Sequence, residues 1–135
     1  MIMAMRADSE LMVITKAKDL ISYLFQISEN APKKYRFTLI SKMQNSALGT
    51  LECLILANEI LLGSEEDNKA RKDLQHKAIA NLKVLDAIAM TARQVGCILP
   101  KQYEVLSRHI SDCIKLTGAW INSDKKRLDS MGIRL

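Results

Sequence analysis

The residue types that most often carry catalysis form no recognisable site in this sequence. The two histidines, His76 and His109, both lack a glutamate three residues before them. A dinuclear metal site in a helical bundle needs that Glu-x-x-His spacing. The three cysteines include no Cys-x-x-Cys pair, which argues against zinc and thiol-exchange motifs. We therefore predict no catalytic residue, no metal site, no bound cofactor and no enzymatic activity.

Other reactive side chains are better explained by structure. Cys113 falls on an apolar stripe, which favours a buried, protonated and unreactive thiol. Glu52 and Glu59 are seven residues apart in an apolar helical segment. This spacing places both on one helix face, where a solvated or interface stripe explains them better than an acid–base pair does.

Basic residues form the pattern with the clearest chemical implication. The first cluster lies at a predicted helix start, where backbone amides also favour anions. A second set recurs every seven residues on one face of a later helix and could follow a phosphate backbone. A third cluster lies near the C-terminus. The candidate nucleic-acid or partner-binding residues are Lys33, Lys34, Arg36, Lys101, Arg108, Lys115, Lys125, Lys126 and Arg127.

Two interpretations of these cations stay open. They could bind nucleic acid, or they could be the solvated surface of a mildly basic protein. No aromatic ladder for base stacking accompanies them, so nucleic-acid binding through them would be salt-sensitive and weakly sequence-specific.

Composition predicts a single all-α domain. The chain has 135 residues, of which 48% are hydrophobic but only 4% aromatic, with five glycines and two prolines. Leu, Ile, Ala and Met favour a few long helices over many strands. Net charge is +5. An odd number of cysteines and the lack of a signal-peptide or membrane-spanning pattern indicate reduced thiols in the cytoplasm and no membrane association.

Apolar periodicity predicts an up-down-up-down four-helix bundle. We expect helices at about residues 9–28, 35–62, 66–95 and 100–122, within a domain of residues 1–124. Residues 125–135 are expected to form a basic, frayed tail. Asp8 or Ser9 should cap the first helix. Gly63 and Gly96 should follow the second and third helices, and Pro100 should begin the fourth.

The second predicted helix is apolar on most of its circumference. Phe37 and Leu61 are assigned to its apolar sides, and from Cys53 to Leu62 only Asn58 and Glu59 are polar. A helix of this kind is usually buried on more than one side. Because one bundle covers only part of it, we predict self-association.

Bundle topology predicts where the charges gather. The first and third helices end where the second and fourth begin, so Lys33, Lys34, Arg36 and Lys101 should share one end. The acidic segment 65–67 and the basic segment 125–127 should meet at the other end. One end would then be clearly basic and the other mixed.

Four short motifs, in order and with characteristic spacing, resemble a known family. They are Ile21-Ser22-Tyr23-Leu24, Pro32-Lys33-Lys34, Pro100-Lys101-Gln102 and Gly118-Ala119-Trp120-Ile121 followed by a basic tail. The chain is similar over residues 10–127 to the accessory variability determinant proteins of diversity-generating retroelements. Those proteins belong to a wider "four helix bundle protein" family, which includes proteins encoded in intervening sequences of ribosomal RNA.

The resemblance implies a homopentameric barrel of four-helix protomers. It also implies a non-enzymatic accessory protein that binds a reverse transcriptase and nucleic acid, either template RNA or cDNA, during mutagenic reverse transcription. Lys33, Lys34 and Arg36 match the family's basic stretch after the first helix, and residues 125–127 match its basic C-terminal end. The alternative is a structural or interaction protein of the wider family, with a protein partner and no nucleic-acid role.

Overall fold

The regular elements within residues 2–132 are all helical. The computed structural model describes residues 2–132, with side chains described from Met12 onward. Four α-helices span Ile2–Ser28 (α1), Ser41–Glu59 (α2), Glu65–Gln94 (α3) and Pro100–Ser130 (α4). A 3-10 turn at Lys33–Tyr35 and a π-helical turn at Arg36–Ile40 precede α2. The prediction of an all-α, four-helix protein is confirmed.

The helices pack as a four-cornered bundle. Both α1 and α3 pack against α2 and α4. Short connections between consecutive helices make the neighbours antiparallel, as in an up-down-up-down bundle. The core is aliphatic, and burying each large side chain contributes about 1.5–3 kcal/mol. Its fully buried members include Leu20, Leu24, Met43, Leu54, Leu82, Leu85, Leu106 and Ile110.

The start of α2 is not the regular helix that was predicted. Ser41 donates its backbone N–H to the carbonyl oxygen of Arg36, five residues back, which widens this turn. The wider turn rotates Phe37 toward solvent, and its side chain is 87% exposed. Phe37 thus lies on a side of this segment that its own protomer leaves uncovered.

The end of α2 also differs from the prediction. The helix stops at Glu59, Ile60 adopts an extended backbone, and Leu61 is 79% exposed. Gly63 does not have a positive φ, so it is not the left-handed residue after this helix. Instead, Arg71 Nη1 donates to the carbonyl oxygen of Ile60 at 2.9 Å. A side chain from α3 thus satisfies the carbonyl that directly follows the end of α2.

The end of α3 follows the prediction. Gly96 has φ +80°. Its N–H donates to the carbonyl oxygen of Arg93 at 3.2 Å, and the Cys97 N–H donates to that of Ala92 at 2.8 Å. These two bonds define a Schellman motif, which needs a left-handed residue at this position. Pro100 begins α4, also as predicted.

Both outer helix boundaries extend beyond the predicted ones. Helix α1 begins at Ile2 rather than at Asp8 or Ser9, because the Met- and Ala-rich start contains helix formers and no breaker. Helix α4 continues to Ser130 rather than fraying after residue 124, because Asp124 and Leu128 continue its buried stripe. Residues 133–135 of the predicted tail lie outside the described residues.

None of the helices within residues 2–132 combines the length and the apolarity that a membrane-spanning segment requires.

Substituting the two connection glycines should have unequal effects on stability. Gly96→Ala places a Cβ in a left-handed conformation and should lower the free energy of unfolding by about 1–2 kcal/mol. Gly63→Ala meets no atom within 4 Å and needs no left-handed backbone. It should be unchanged or slightly more stable because the unfolded chain loses entropy. Urea unfolding monitored by circular dichroism tests both, and equal destabilisation would contradict the assigned helix ends.

Candidate nucleic-acid interface

The basic end of the bundle is the end where the α1–α2 and α3–α4 connections meet. Tyr35 in the first connection donates from Oη to the carbonyl oxygen of Val95 in the second, at 2.9 Å. This bond holds the two connections together, as the topology predicts. The four cations expected to share this end do so, and all are exposed: Lys33, Lys34, Arg36 and Lys101. Their binding role stays a prediction.

Local charge at the basic end is positive for two reasons. The chain carries no acidic residue between Glu29 and Glu52. The start of α4 and the helical turns before α2 also point their backbone N–H groups outward from this end. No acidic side chain occurs in the described first turn of either. The partial positive charge of a helix start therefore adds to the side-chain charge and favours an anionic partner.

Arg93 is a further cation at this end, and sequence analysis missed it. It lies in the last turn of α3 and is exposed. Its guanidinium carbon lies 5.9 Å from the ring centre of Tyr103 in α4, a cation–π distance. The topological argument that placed Lys101 here applies equally to Arg93, because both flank the α3–α4 connection.

A cleft opens beside the basic end, between the end of α1 and the turns that precede α2. Its volume is about 380 Å³, and Lys33 and Arg36 line it together with Phe25. Lys34 turns elsewhere and lies over the ring of Tyr35, 5.1 Å from the ring centre. The basic cluster is thus divided between a concave surface and a convex one.

The basic stripe along α4 is diluted by acids. Lys101, Arg108 and Lys115 are all exposed, as predicted. Glu104 and Asp112 are exposed too, and their helical spacing places them on the same face. This stripe is therefore a mixed charged surface, and the cluster at residues 33–36 is the more concentrated cationic feature.

The opposite end is mixed, as expected, but its basic residues are unequal. Lys125 and Lys126 are exposed, whereas Arg127 is half-buried and forms a short ion pair with Asp124. The Arg127 guanidinium is therefore engaged in a contact within the chain and is less accessible to a partner. At the same end, Ser64 caps α3 by accepting the Asp67 N–H, and three acids occupy the first turn of that helix.

A buried ion-pair network lies beneath this end, made of Arg71, Gln75, Asp124 and Arg127. Arg71 donates to Asp124 from Nε at 2.8 Å and from Nη2 at 3.0 Å. Gln75 Nε2 donates to the same carboxylate at 2.9 Å. Arg71 and Asp124 are only 3% and 5% exposed, respectively. Such two-point charge-assisted bonding joins α3 firmly to α4.

The thiols offer no nucleophile. Cys53, Cys97 and Cys113 are all buried and free. Burial raises the pKa of Cys113 to about 11, and burial also raises the pKa of Cys53 and Cys97. Thiols with raised pKa stay protonated near neutral pH. Among the described residues, no group of three or more His, Cys, Asp and Glu side chains is arranged to hold a metal ion.

A comparison with protein families decides which proteins this chain resembles. A family model described as bAvd-like matches residues 11–124, which is most of the chain. This chain belongs to the bAvd-like family. The resemblance to accessory variability determinant proteins that the sequence motifs indicated is thereby confirmed. No match was found among curated proteins.

The bAvd-like family is a family of accessory, non-catalytic proteins. The matched region ends at residue 124. It therefore includes the cations of the basic end and the α4 stripe, but not residues 125–127.

Sequence analysis also missed the buried network of the bAvd-like chain. Apolarity alone would place Ala70 and Leu74 on the inner stripe of α3, but Ala70 is exposed and Leu74 only half-buried. Counting backward from Ala78 in alternating steps of three and four residues would have indicated the polar members Gln75, Arg71 and Asn68. The inner stripe is Asn68, Arg71, Gln75, Ala78, Leu82, Leu85, Ala89 and Ala92.

Breaking the buried ion pair should destabilise the protein far more than breaking an exposed one. Asp124→Ala removes the buried carboxylate that Arg71 bonds at two points, and it should lower the free energy of unfolding by about 3–5 kcal/mol. Lys69→Ala removes the ion pair with Asp73, whose side chains are 76% and 63% exposed, and should cost under about 0.5 kcal/mol. Chemical denaturation measures both. Similar values for the two variants would show that the network contributes little to stability.

Proposed function

We propose that this bAvd-like protein is a non-enzymatic accessory protein of a diversity-generating retroelement. It would bind the reverse transcriptase and nucleic acid, template RNA or cDNA, through its basic surface. The observation that carries the proposal is the concentration of exposed cations at one end, supported by family membership. Its place of action would be the cytoplasm, where its three thiols would stay reduced.

The mechanism is electrostatic attraction followed by scaffolding. Cations that neutralise phosphates release condensed counterions, so binding through the basic end should weaken steeply with salt. Lys33, Lys34, Arg36 and Lys101 are the main contacts in this proposal, with Arg93 added by the structure. Arg108, Lys115, Lys125 and Lys126 are exposed and would contribute secondary contacts. Arg127 would contribute least, because it pairs with Asp124.

Self-association is the second part of the proposal. The outward side of α2 exposes Leu48, Ile55 and Leu56 by 44%, 40% and 46%. The predicted incomplete covering of α2 within one protomer thus agrees with the burial of its side chains. A closed ring would cover this surface by repeating one heterologous contact, and the family resemblance implies five subunits.

A second candidate function follows from the same apolar surface. An exposed stripe of this kind also fits a structural or interaction protein that has a protein partner and no nucleic-acid role. This alternative predicts the same assembly but no salt-dependent retention of RNA.

Neutralising the cluster at the basic end should selectively weaken RNA binding. The variant Lys33→Gln/Lys34→Gln/Arg36→Gln removes three charges. For single-stranded RNA, the slope of log binding constant against log salt concentration should become shallower by about 2. Association with the reverse transcriptase should weaken as well. The control Lys16→Gln/Lys18→Gln/Lys83→Gln removes the same charge from exposed positions along the bundle.

Fluorescence anisotropy over a salt series measures the RNA effect, and co-purification measures the polymerase effect. Equal losses in the two triple variants would indicate a diffuse charge effect rather than a site. Wild-type protein that fails to bind RNA at low salt would favour the alternative function.

A charge on the outward side of α2 should dissociate the assembly. Ile55→Glu places a carboxylate within the proposed contact, which should shift the native mass to that of a monomer while helicity is retained. Met131→Glu is the matched control, because Met131 is 53% exposed but lies at the end of α4. Sedimentation velocity tests this prediction, and a monomeric wild-type protein would refute it.

A further inference from the structure

The cleft beside the basic end combines three kinds of surface in one concavity. Phe25 and Ile40 form an apolar wall, Lys33 and Arg36 supply positive charge, and Glu29 and Asn30 supply hydrogen-bonding groups. Phe25 is 41% exposed, so its ring is open to a ligand, whereas Ile40 is buried. Two other clefts, one lined by Lys126 and Arg127 and the other by Lys72 and Lys125, have no aromatic ring in their lining.

These three surfaces correspond to the three parts of a nucleotide. Guanidinium and ammonium groups bind a phosphate. An aromatic ring stacks on the face of a base, and every base offers such a face. A carboxylate beside an amide can accept hydrogen bonds from the edge of a base or from a sugar hydroxyl. Glu29 repels phosphate, so it would direct the phosphate toward Lys33 and Arg36.

The size of the cleft restricts the ligand. About 380 Å³ is within the range of small-molecule pockets and suits one nucleotide. A base within a duplex is stacked and paired, so it reaches such a pocket only after it is flipped out, at an energetic cost. An unpaired base enters without that cost.

We infer that this cleft binds one unpaired nucleotide of a single strand, with Phe25 stacking on its base and Lys33 and Arg36 holding its phosphate. This inference rests on the proposed function and specifies its ligand as single-stranded. It also corrects the expectation that binding is driven by the backbone alone, because one aromatic ring faces the same cleft as the cations. Phe37 is more exposed than Phe25 but does not line the cleft.

Two matched variants of the full chain test the role of the ring. Phe25→Leu keeps an apolar wall but removes the stacking face, and it should weaken binding of a fluorescently labelled single strand about tenfold. Its salt dependence should stay unchanged, because no cation is lost. Phe37→Leu makes the same change outside the cleft and should leave the affinity unchanged. Neither variant should change the affinity for a duplex of the same sequence.

An abasic single strand supplies the complementary test, because it keeps the phosphates and lacks the bases. Wild-type protein should bind it about tenfold more weakly than the normal strand, and Phe25→Leu should cause no further loss on it. Circular dichroism checks that both variants are folded.

The outcomes separate this inference from the proposed function. Salt-dependent binding with equal affinity for single strand and duplex, and no effect of Phe25→Leu, would overturn the inference and leave the proposed function standing. Equal losses from Phe25→Leu and Phe37→Leu would overturn it too. Absence of nucleic-acid binding by the wild-type protein at low salt would overturn both.

Discussion

The contact between Arg71 and Asp124 is the interaction on which the geometry of this bundle most depends. One guanidinium joins α3 to α4 through two bonds and also satisfies the Ile60 carbonyl at the end of α2. The same group lies over the ring of Trp120, 4.9 Å from its centre. Three of the four helices are therefore positioned at one end by a single buried side chain. Buried charges of this kind fix relative position more reliably than they add stability.

The two ends of the molecule use positive charge in opposite ways. At the end with the buried network, Arg71 and Arg127 both pair with the Asp124 carboxylate inside the protein. At the basic end, Lys33, Arg36 and Lys101 are exposed and have no acid in the neighbouring first turns of the described helices. Net charge alone does not distinguish these situations. Helix direction does, because it decides which connections meet and which helix starts point outward.

Much of this arrangement could be predicted from sequence, and the failures have identifiable causes. Helix number, topology, the role of Gly96 and the shared end of four cations follow from periodicity and turn chemistry. The prediction that Gly63 follows the end of α2 was wrong, because α2 already stops at Glu59 and the Arg71 side chain bonds the carbonyl of Ile60. A contact from another helix leaves no local signal in the sequence. Apolar periodicity does not find the start of the inner stripe of α3, because its first three members are Asn68, Arg71 and Gln75. Apolarity is the usual sign of burial, and these residues lack it.

The candidate site was less predictable than the fold. The cluster of cations was visible in the sequence. The cleft that Lys33 and Arg36 line depends on the π-helical turn, however, and an analysis of periodicity that assumes a regular helix does not predict such a turn. Phe25 belongs to a different helix, α1, so local periodicity does not connect it with these cations. Its neighbourhood with Lys33 and Arg36 emerges once α1 and α2 are packed side by side.

The π-helical turn at Arg36–Ile40 has a consequence for how this segment tolerates changes in length. Such a turn accommodates one residue more than a regular turn while the helix beyond it keeps its register. Deleting the surplus residue would restore an ordinary turn, and Met43 and Ala47 would still face the interior. The residue displaced outward here is Phe37, so relatives one residue shorter could lack this aromatic ring and still present the lysines before it unchanged.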